Sequence, residues 1–551
     1  MDRMMQAQSG LPWIVENDRP EWKSGQLGPV SYWYAGDRRS AERLAGLLAK
    51  TFDNAPVLSE ALNACAGSFA MIAATSEHIL ACVDHCRSFP VFHTIGPQVY
   101  VGTDATATLA AAGAARPDMT SALECAMSGY STGPHTLYEN LKQLEPGQAL
   151  LWRRSDGKCL PLRYFRYLPG DIFPASEVEL QDRLDAVVNQ AIDRTIAAAD
   201  GAPIVIPLSG GLDSRLILAK LHARNYRNLH CFSYGQAGNA DAMVARDIAD
   251  HLGVSWRFVP TPGRVTRRFF NSSLRRDYWQ YADALSAVPN NQDILPLQLL
   301  RAQAGIPADA MIVNGQTGDF ISGGHIPEPL FQLGLSAGAL VSRISERHYS
   351  LWTSLRTPAN QAQIAGRIRS LIELDAEDSQ PLGQEQAIAL WERFEYEGRQ
   401  ARYIVNGQRV YDHLGYRWQL PLWDADLVHF WRDVPPAFKR RQKLYRDTWV
   451  RWDYERLFSR PTRAISAWSK PVSAFIIPLS VMARLLLGRQ RRDRMIGYAR
   501  YIDRFGNHYQ SFGWKAFARA APDIRNPVAL YAKAWLEERG FAAIWDTGRP
   551  T

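Results

Sequence analysis

The sequence predicts an α/β protein in which a doubly wound parallel sheet follows a smaller, strand-rich α+β domain. Three observations predict it. From about residue 184 onward, short β-branched apolar segments alternate with segments of helical spacing, the pattern of parallel strands joined by crossover helices. Before residue 165, short strand-like segments crowd together with few helices between them. At 551 residues the chain is also too long for one core, so two domains of unequal size are expected, 1–165 and 166–551.

In chain order, strand spacing occurs at 30–34, 67–73, 78–83, 91–94, 98–101 and 148–152, with helical spacing at 40–51 and 105–112. Pro169 and Gly170 mark a linker region. Leu184, Val188, Ile192 and Ile196 then recur every four residues between charged positions, an amphipathic helix that leads into the second domain. The alternation continues with strands at 204–208, 229–234, 255–259 and 311–314, and with helices at 216–221, 241–252 and 294–303. In such a sheet a ligand lies beyond the carboxyl ends of the strands.

Composition narrows the class. Six cysteines are scattered without a repeating paired spacing, which suits a reducing compartment. Cys82, His85 and Cys86 lack a second half-site with zinc spacing, so buried thiols are expected there. The first ten residues are polar and no run of about 18 apolar residues occurs, so a cytoplasmic protein is expected. Net charge is +8, but basic and acidic residues are interspersed and no nucleic-acid recognition motif is present, so nucleic acid is not an expected partner. Residues 471–487 are the most apolar stretch and are followed by Arg489, Arg491, Arg492 and Arg494. They are interrupted by Pro478 and Arg484, so the segment 471–494 is expected to lie against a neighbouring surface, either protein or the inner face of the membrane.

The chemistry is concentrated at Leu208-Ser209-Gly210-Gly211-Leu212-Asp213-Ser214, a turn between a strand and a helix. Gly210 and Gly211 remove the β-carbons that would keep a phosphate from the backbone, and the free N–H groups of the helix start point at it. Ser209 and Ser214 add hydroxyl donors. A carboxylate beside phosphates repels them unless a divalent cation intervenes, which makes Asp213 a magnesium ligand. This loop resembles the pyrophosphate loop of the ATP pyrophosphatase enzymes, which cleave ATP between its α- and β-phosphates and adenylate a substrate.

Further segments resemble the asparagine synthetase family in the same order. Ser233-Tyr234-Gly235 ends the second strand, where Ser233 and Gly235 would let adenine and ribose approach the backbone. Asn314-Gly315-Gln316-Thr317-Gly318-Asp319 resembles the second phosphate and metal loop, which would place Asp319 opposite Asp213 across magnesium-pyrophosphate. Leu420-Pro421-Leu422-Trp423-Asp424 and Lys443-Leu-Tyr-Arg446 resemble the closing part, where a lysine neutralises charge at the reacting phosphate. Lys439, Lys443 and Arg446 compete for that role, and Lys443 is chosen. Before residue 165, Gly67-Ser-Phe-Ala-Met-Ile, Leu80 to Phe92, Thr103-Asp104 and Leu144-Glu-Pro-Gly147 resemble the family's N-terminal glutaminase-like domain, which implies an Ntn-hydrolase-like sandwich.

The departures are as informative. A working glutaminase of that type begins with a cysteine whose α-amine is the base, and position two here is Asp2. Gln316 stands where the family has a glutamate, and Arg417 and Gln419 replace a carboxylate and an arginine. An amide cannot act as a general base, so aspartate recognition is altered. The resemblance implies an ATP- and Mg2+-dependent, amide-forming ligase like asparagine synthase (glutamine-hydrolysing), with free ammonia or an ammonia-supplying partner protein. Its acceptor would be a non-aspartate carboxylate such as a sugar uronate. A lasso-peptide or β-lactam type of cyclase and an ATP-binding pseudoenzyme are the alternatives.

Overall fold

The computed structural model describes residues 19–50, 54–153, 155–170, 172–332, 335–460, 511–520 and 522–545, with 4–5, 13–15, 479, 482 and 488. The segment 471–494, expected to meet a membrane or a partner, lies outside the described residues but for three positions. Among the described residues no helix is long and apolar enough to cross a membrane.

The first half is a layered α+β sandwich of two sheets. One has six antiparallel strands in the order Cys159–Arg163, Gln148–Arg153, His78–Val83, Phe69–Ala74, Val30–Gly36 and Trp22–Leu27. The other runs Met4–Met5, Trp13–Val15, Tyr100–Gly102, Phe92–Thr94 and Leu141–Gln143. In Phe69–Ala74 successive side chains serve different cores. Phe69, Met71 and Ala73 pack in the cluster that holds Leu44 and Leu48 of the Arg38–Leu48 helix, while Ala70 and Ile72 join the main core. A strand buried on both faces needs apolar residues at every position, which is why this segment reads as a continuous run.

The second half contains a five-stranded, wholly parallel sheet, ordered Ser255–Pro260, Leu229–Gly235, Ile204–Pro207, Met311–Val313 and Arg417–Gln419. In chain order this is third, second, first, fourth, fifth. The chain winds one way from the central strand and then the other, so a crevice opens between the ends of Ile204–Pro207 and Met311–Val313. Both glycine-rich loops leave the sheet at that crevice. The Glu177–Ala199 helix before it starts at a capping box, with Ser176 and Glu179 each satisfying the other's backbone N–H.

The two halves share one continuous hydrophobic core. Their seam is polar and specific. Asp84 accepts from the backbone N–H groups of Phe69, Cys86 and Ser88 at 2.7–3.0 Å and shapes the loop that docks on residues 395–409. Across the seam Tyr396 donates to the His85 carbonyl at 2.8 Å and Arg409 donates to that of Ser88 at 2.9 Å.

The cysteines are free, and all but Cys159 are buried. Burial pushes the Cys65, Cys82, Cys86, Cys125 and Cys231 thiols up, and Cys159 rises to about 11. None of these has the low-pKa, accessible character of a nucleophilic thiol. Purified protein given glutamine, with or without ATP, is therefore expected to release no glutamate above background. A glutamine-dependent burst would contradict this.

Candidate active site

Ser209 to Ser214 forms the strand-to-helix turn that the sequence predicts, between Ile204–Pro207 and the Leu212–Ala223 helix. Gly211 is the N-cap and no side chain caps the helix start, so the first N–H groups and the positive end of the helix dipole face the crevice. The Ser214 hydroxyl accepts from the Ser209 N–H and meets the Ser209 hydroxyl, both at 3.2 Å, and Ser209 Oγ accepts from the Gly211 N–H at 3.2 Å. Arg215, fully buried, ties the turn from behind by donating to the carbonyls of Gly210 and Leu457 at 2.9 and 2.8 Å.

The second loop, 314–319, lies directly against the first. A β-carbon on Gly315 would stand 2.7 Å from the Ser214 nitrogen, and one on Gly318 would stand 2.5 Å from Asp213 Oδ1. Only glycine allows that approach. It brings Asp213 and Asp319 together: Asp213 Oδ2 accepts from the Asp319 N–H at 3.0 Å, while Oδ1 accepts from the Tyr445 hydroxyl at 2.8 Å. Burial, and then the charge of Asp319, raise the Asp213 carboxyl above the usual carboxylate range. One carboxylate from each loop, with Asp213 disfavoured as an anion by burial and by Asp319, is a pair that a divalent cation completed by phosphate oxygens would suit.

Behind Asp319 stands a histidine. His325 Nε2 is 3.1 Å from Asp319 Oδ2 and its Nδ1 is 2.5 Å from Glu395 Oε1. Burial opposes the imidazolium, but hydrogen bonds to Asp319 and Glu395 hold its pKa at about 9. Burial likewise opposes ionisation of Glu395, yet the hydrogen bond from His325 and its charge hold that carboxyl at about 2. Asp319 is held below its usual value against burial, chiefly by His325. Phe320–Gly324 and Glu395–Ile404, which flank this relay, both contain π-type turns, a distortion frequent at functional sites.

The other expected residues fall as follows. Gln316 lies in the second loop, where its Oε1 accepts from Gln408 at 2.8 Å. Leu208 and Ser233 are buried, and the Ser233 hydroxyl is engaged within the sheet, donating to the Leu208 carbonyl at 2.7 Å and accepting from Trp256 at 3.0 Å. Gly235 ends its strand at φ +126°, a conformation open to glycine. Trp423 donates to Thr317 Oγ1 at 2.8 Å and so locks the 420–424 segment onto the second loop, while Asp424 pairs with Arg194. Arg417 donates to the carbonyls of Ala198 and Ala199 at the end of a helix.

Lys443 requires a correction in placement. Its ammonium is held by Glu177 and by Asp447 at 3.0 Å, half exposed, and the helix turns Tyr445 rather than Lys443 toward Asp213. Lys439 is buried on Glu392 at 2.8 Å and Arg446 is exposed. Tyr445, His325 and Glu395 are the site residues that sequence reasoning missed.

A glycine turn with an uncapped helix start and two neighbouring aspartates thus meet at the switch point of a parallel sheet. Residues 183–452 match the family described as asparagine synthase, whose members are ATP-dependent ligases. No curated protein matches the chain. Among solved structures it is similar to glutamine phosphoribosylpyrophosphate amidotransferase from B. subtilis complexed with ADP and GMP, at 11% identity and a TM-score of 0.16 over 49% of this chain and 78% of that one. A second, described as the allosteric regulatory enzyme of purine biosynthesis, matches at 12% identity and a TM-score of 0.18 over 60% of each chain.

Proposed function

We propose that the protein activates a carboxylate other than aspartate by adenylation, with release of pyrophosphate, and passes the acyl group to an amine or ammonia to form an amide. The observation that carries this reading is the contact between the two loops, which sets Asp213 and Asp319 beside an uncapped helix start at the switch point. Asp213 and Asp319 would hold Mg2+, and Ser209 to Ser214 the phosphates. Such an ion would neutralise charge on the phosphates during cleavage. The test is carboxylate-dependent exchange of labelled pyrophosphate into ATP, with AMP as product. Formation of ADP and phosphate instead would overturn the proposal.

Gln316 supports an acceptor other than aspartate. Its amide supplies hydrogen bonds and no base, and it is itself held by Gln408. Gln316→Ala is expected to leave ATP activation in place while weakening acceptor turnover by about 1–3 kcal/mol, the cost of an unsatisfied partner. Measured kcat/KM for the acceptor, beside the exchange rate, checks it. Of the acceptors the sequence leads to, a sugar uronate offers hydroxyls on most carbons, whereas the precursor of a lasso-peptide or β-lactam type of cyclase brings its own amine.

A further inference from the structure

Between Asp250 and Asp277 the sequence holds six arginines and no acidic residue, in a chain that elsewhere mixes the two signs. Five of the six lie on two consecutive helices, Gly263–Phe270 and Ser273–Ala282. The first helix keeps its apolar side inward, with Phe269 and Phe270 buried and Val265 half-buried. That leaves Arg264, Arg267 and Arg268, three and four positions apart, together on one outer face. Arg275 faces the other way. It is buried, held by both oxygens of Glu538 at 2.7 and 2.9 Å, and lies over the Phe270 and Trp279 rings.

Arg276 completes the outer face. It donates to the Asn271 carbonyl at 3.3 Å, and the Asn271 amide donates to the Arg267 carbonyl at 2.8 Å, so its guanidinium reaches back over the junction of the two helices. Arg264, Arg267, Arg268 and Arg276 make no ion pair among the described residues. The carboxyl end of the first helix favours Arg267 and Arg268, but its dipole offsets only about half of one charge. Leu274, between Asn271 and Arg276, is 54% exposed. Phe269, Phe270, Tyr278 and Trp279 are buried and Tyr281 is engaged with Glu21 and Arg19, so the face offers no free ring on which a nucleic-acid base could stack.

The chain leaves the described residues after Arg460 and, but for three positions, returns to them at Ser511, against the first of these helices. Phe512 meets Phe270 at 4.8 Å, and Ser511 accepts at 2.6 Å from Tyr531, whose ring is 5.4 Å from that of Phe270. The stretch in between carries the apolar run 471–487 and then Arg489, Arg491, Arg492 and Arg494. Sixteen residues separate Arg494 from Ser511, a reach of at most about 60 Å, so a second group of arginines is tethered to the first. We infer that the face formed by Arg264, Arg267, Arg268 and Arg276 docks on an anionic lipid leaflet, with Leu274 entering the headgroup layer. Unpaired arginines around an exposed apolar side chain are what a negative leaflet attracts, and the tethered apolar and basic segment has the same composition. The docking face itself consists of described residues alone, and the inference is independent of the adenylation reading.

The test uses the full chain and its co-sedimentation with vesicles of phosphatidylcholine alone or mixed with phosphatidylglycerol. Wild type is expected to bind only the mixed vesicles and to leave them at high salt. Arg264→Gln, Arg267→Gln and Arg268→Gln together are expected to weaken binding by roughly a hundredfold, about fivefold for each charge near the surface. Arg264→Lys, Arg267→Lys and Arg268→Lys together keep the charge and should keep the binding. Leu274→Ser should weaken it about fivefold, the effect of withdrawing the exposed half of a leucine side chain. Melting temperature should match wild type in every variant. If the triple Gln variant melts early, Arg264→Gln alone, with its expected fivefold loss, decides the matter. Binding to mixed vesicles that survives the triple Gln change unaltered would overturn the inference, since other residues would then carry it. Equal binding to both kinds of vesicle would also overturn it, as would tighter binding to a DNA oligonucleotide that mixed vesicles fail to displace.

Discussion

Asp213→Ala and Asp319→Ala are each expected to lower carboxylate-dependent pyrophosphate exchange by about 10²–10³-fold or more, the scale on which one preorganised charge-stabilising group acts. The fold should survive both changes. Asp319 is 59% exposed and belongs to a loop, and Asp213 lies at a helix start where it contacts Tyr445 and the Asp319 backbone. Circular dichroism and melting temperature measured beside the exchange rate separate lost chemistry from lost structure. Lys443→Ala supplies the contrast. Its ammonium is committed to Glu177 and Asp447 at the surface, so the rate should stay within about threefold of wild type, the modest effect of a surface ion pair. A loss as large as that of Asp213→Ala would show that this helix turns when substrate binds.

That contrast also shows what the sequence could and could not convey. The glycine turn was legible because its requirements are local: small residues for close approach, hydroxyls, and a helix start, all within six positions. The parallel sheet was legible for a related reason, since strands buried on both faces are written as apolar runs. Trp22–Leu27 was not, because it is an edge strand whose side chains are mostly outside, and its Trp-Lys-Ser-Gly-Gln-Leu sequence shows no alternation. Helix phase turns Lys443 away from Asp213. Residues two apart on a helix lie about 200° apart around its axis, so once Tyr445 faces Asp213, Lys443 faces away. The signal was present in the apolar stripe Leu444, Tyr445, Thr448 and Trp449, and in the Lys443–Asp447 pair four residues apart on the wet face. His325 and Glu395 carried no such signal. They are 70 positions apart, and only the packing of 395–409 against the second loop brings them together.

Loss of His325 tests whether that relay is structural as well as functional. Glu395 is fully buried, and the hydrogen bond and charge of His325 and, at 3.5 Å, the charge of Arg399 favour its ionised form there. Removing one partner of a buried pair leaves an uncompensated charge, a change that costs about 3–5 kcal/mol. Since Arg399 remains, His325→Ala is expected near the lower end, about 3 kcal/mol, read as a shift of the denaturation midpoint. The double variant with Glu395→Gln should be more stable than His325→Ala alone, because the neutral amide requires no counter-charge and keeps the volume. Its exchange activity should nevertheless stay low, since nothing then steadies Asp319 from behind. The physical content lies in this split between recovered stability and unrecovered rate. If Glu395→Gln restores neither, Glu395 is not the charge that His325 balances. If it restores both, Asp319 is positioned by its own backbone contacts, and the histidine serves the core alone.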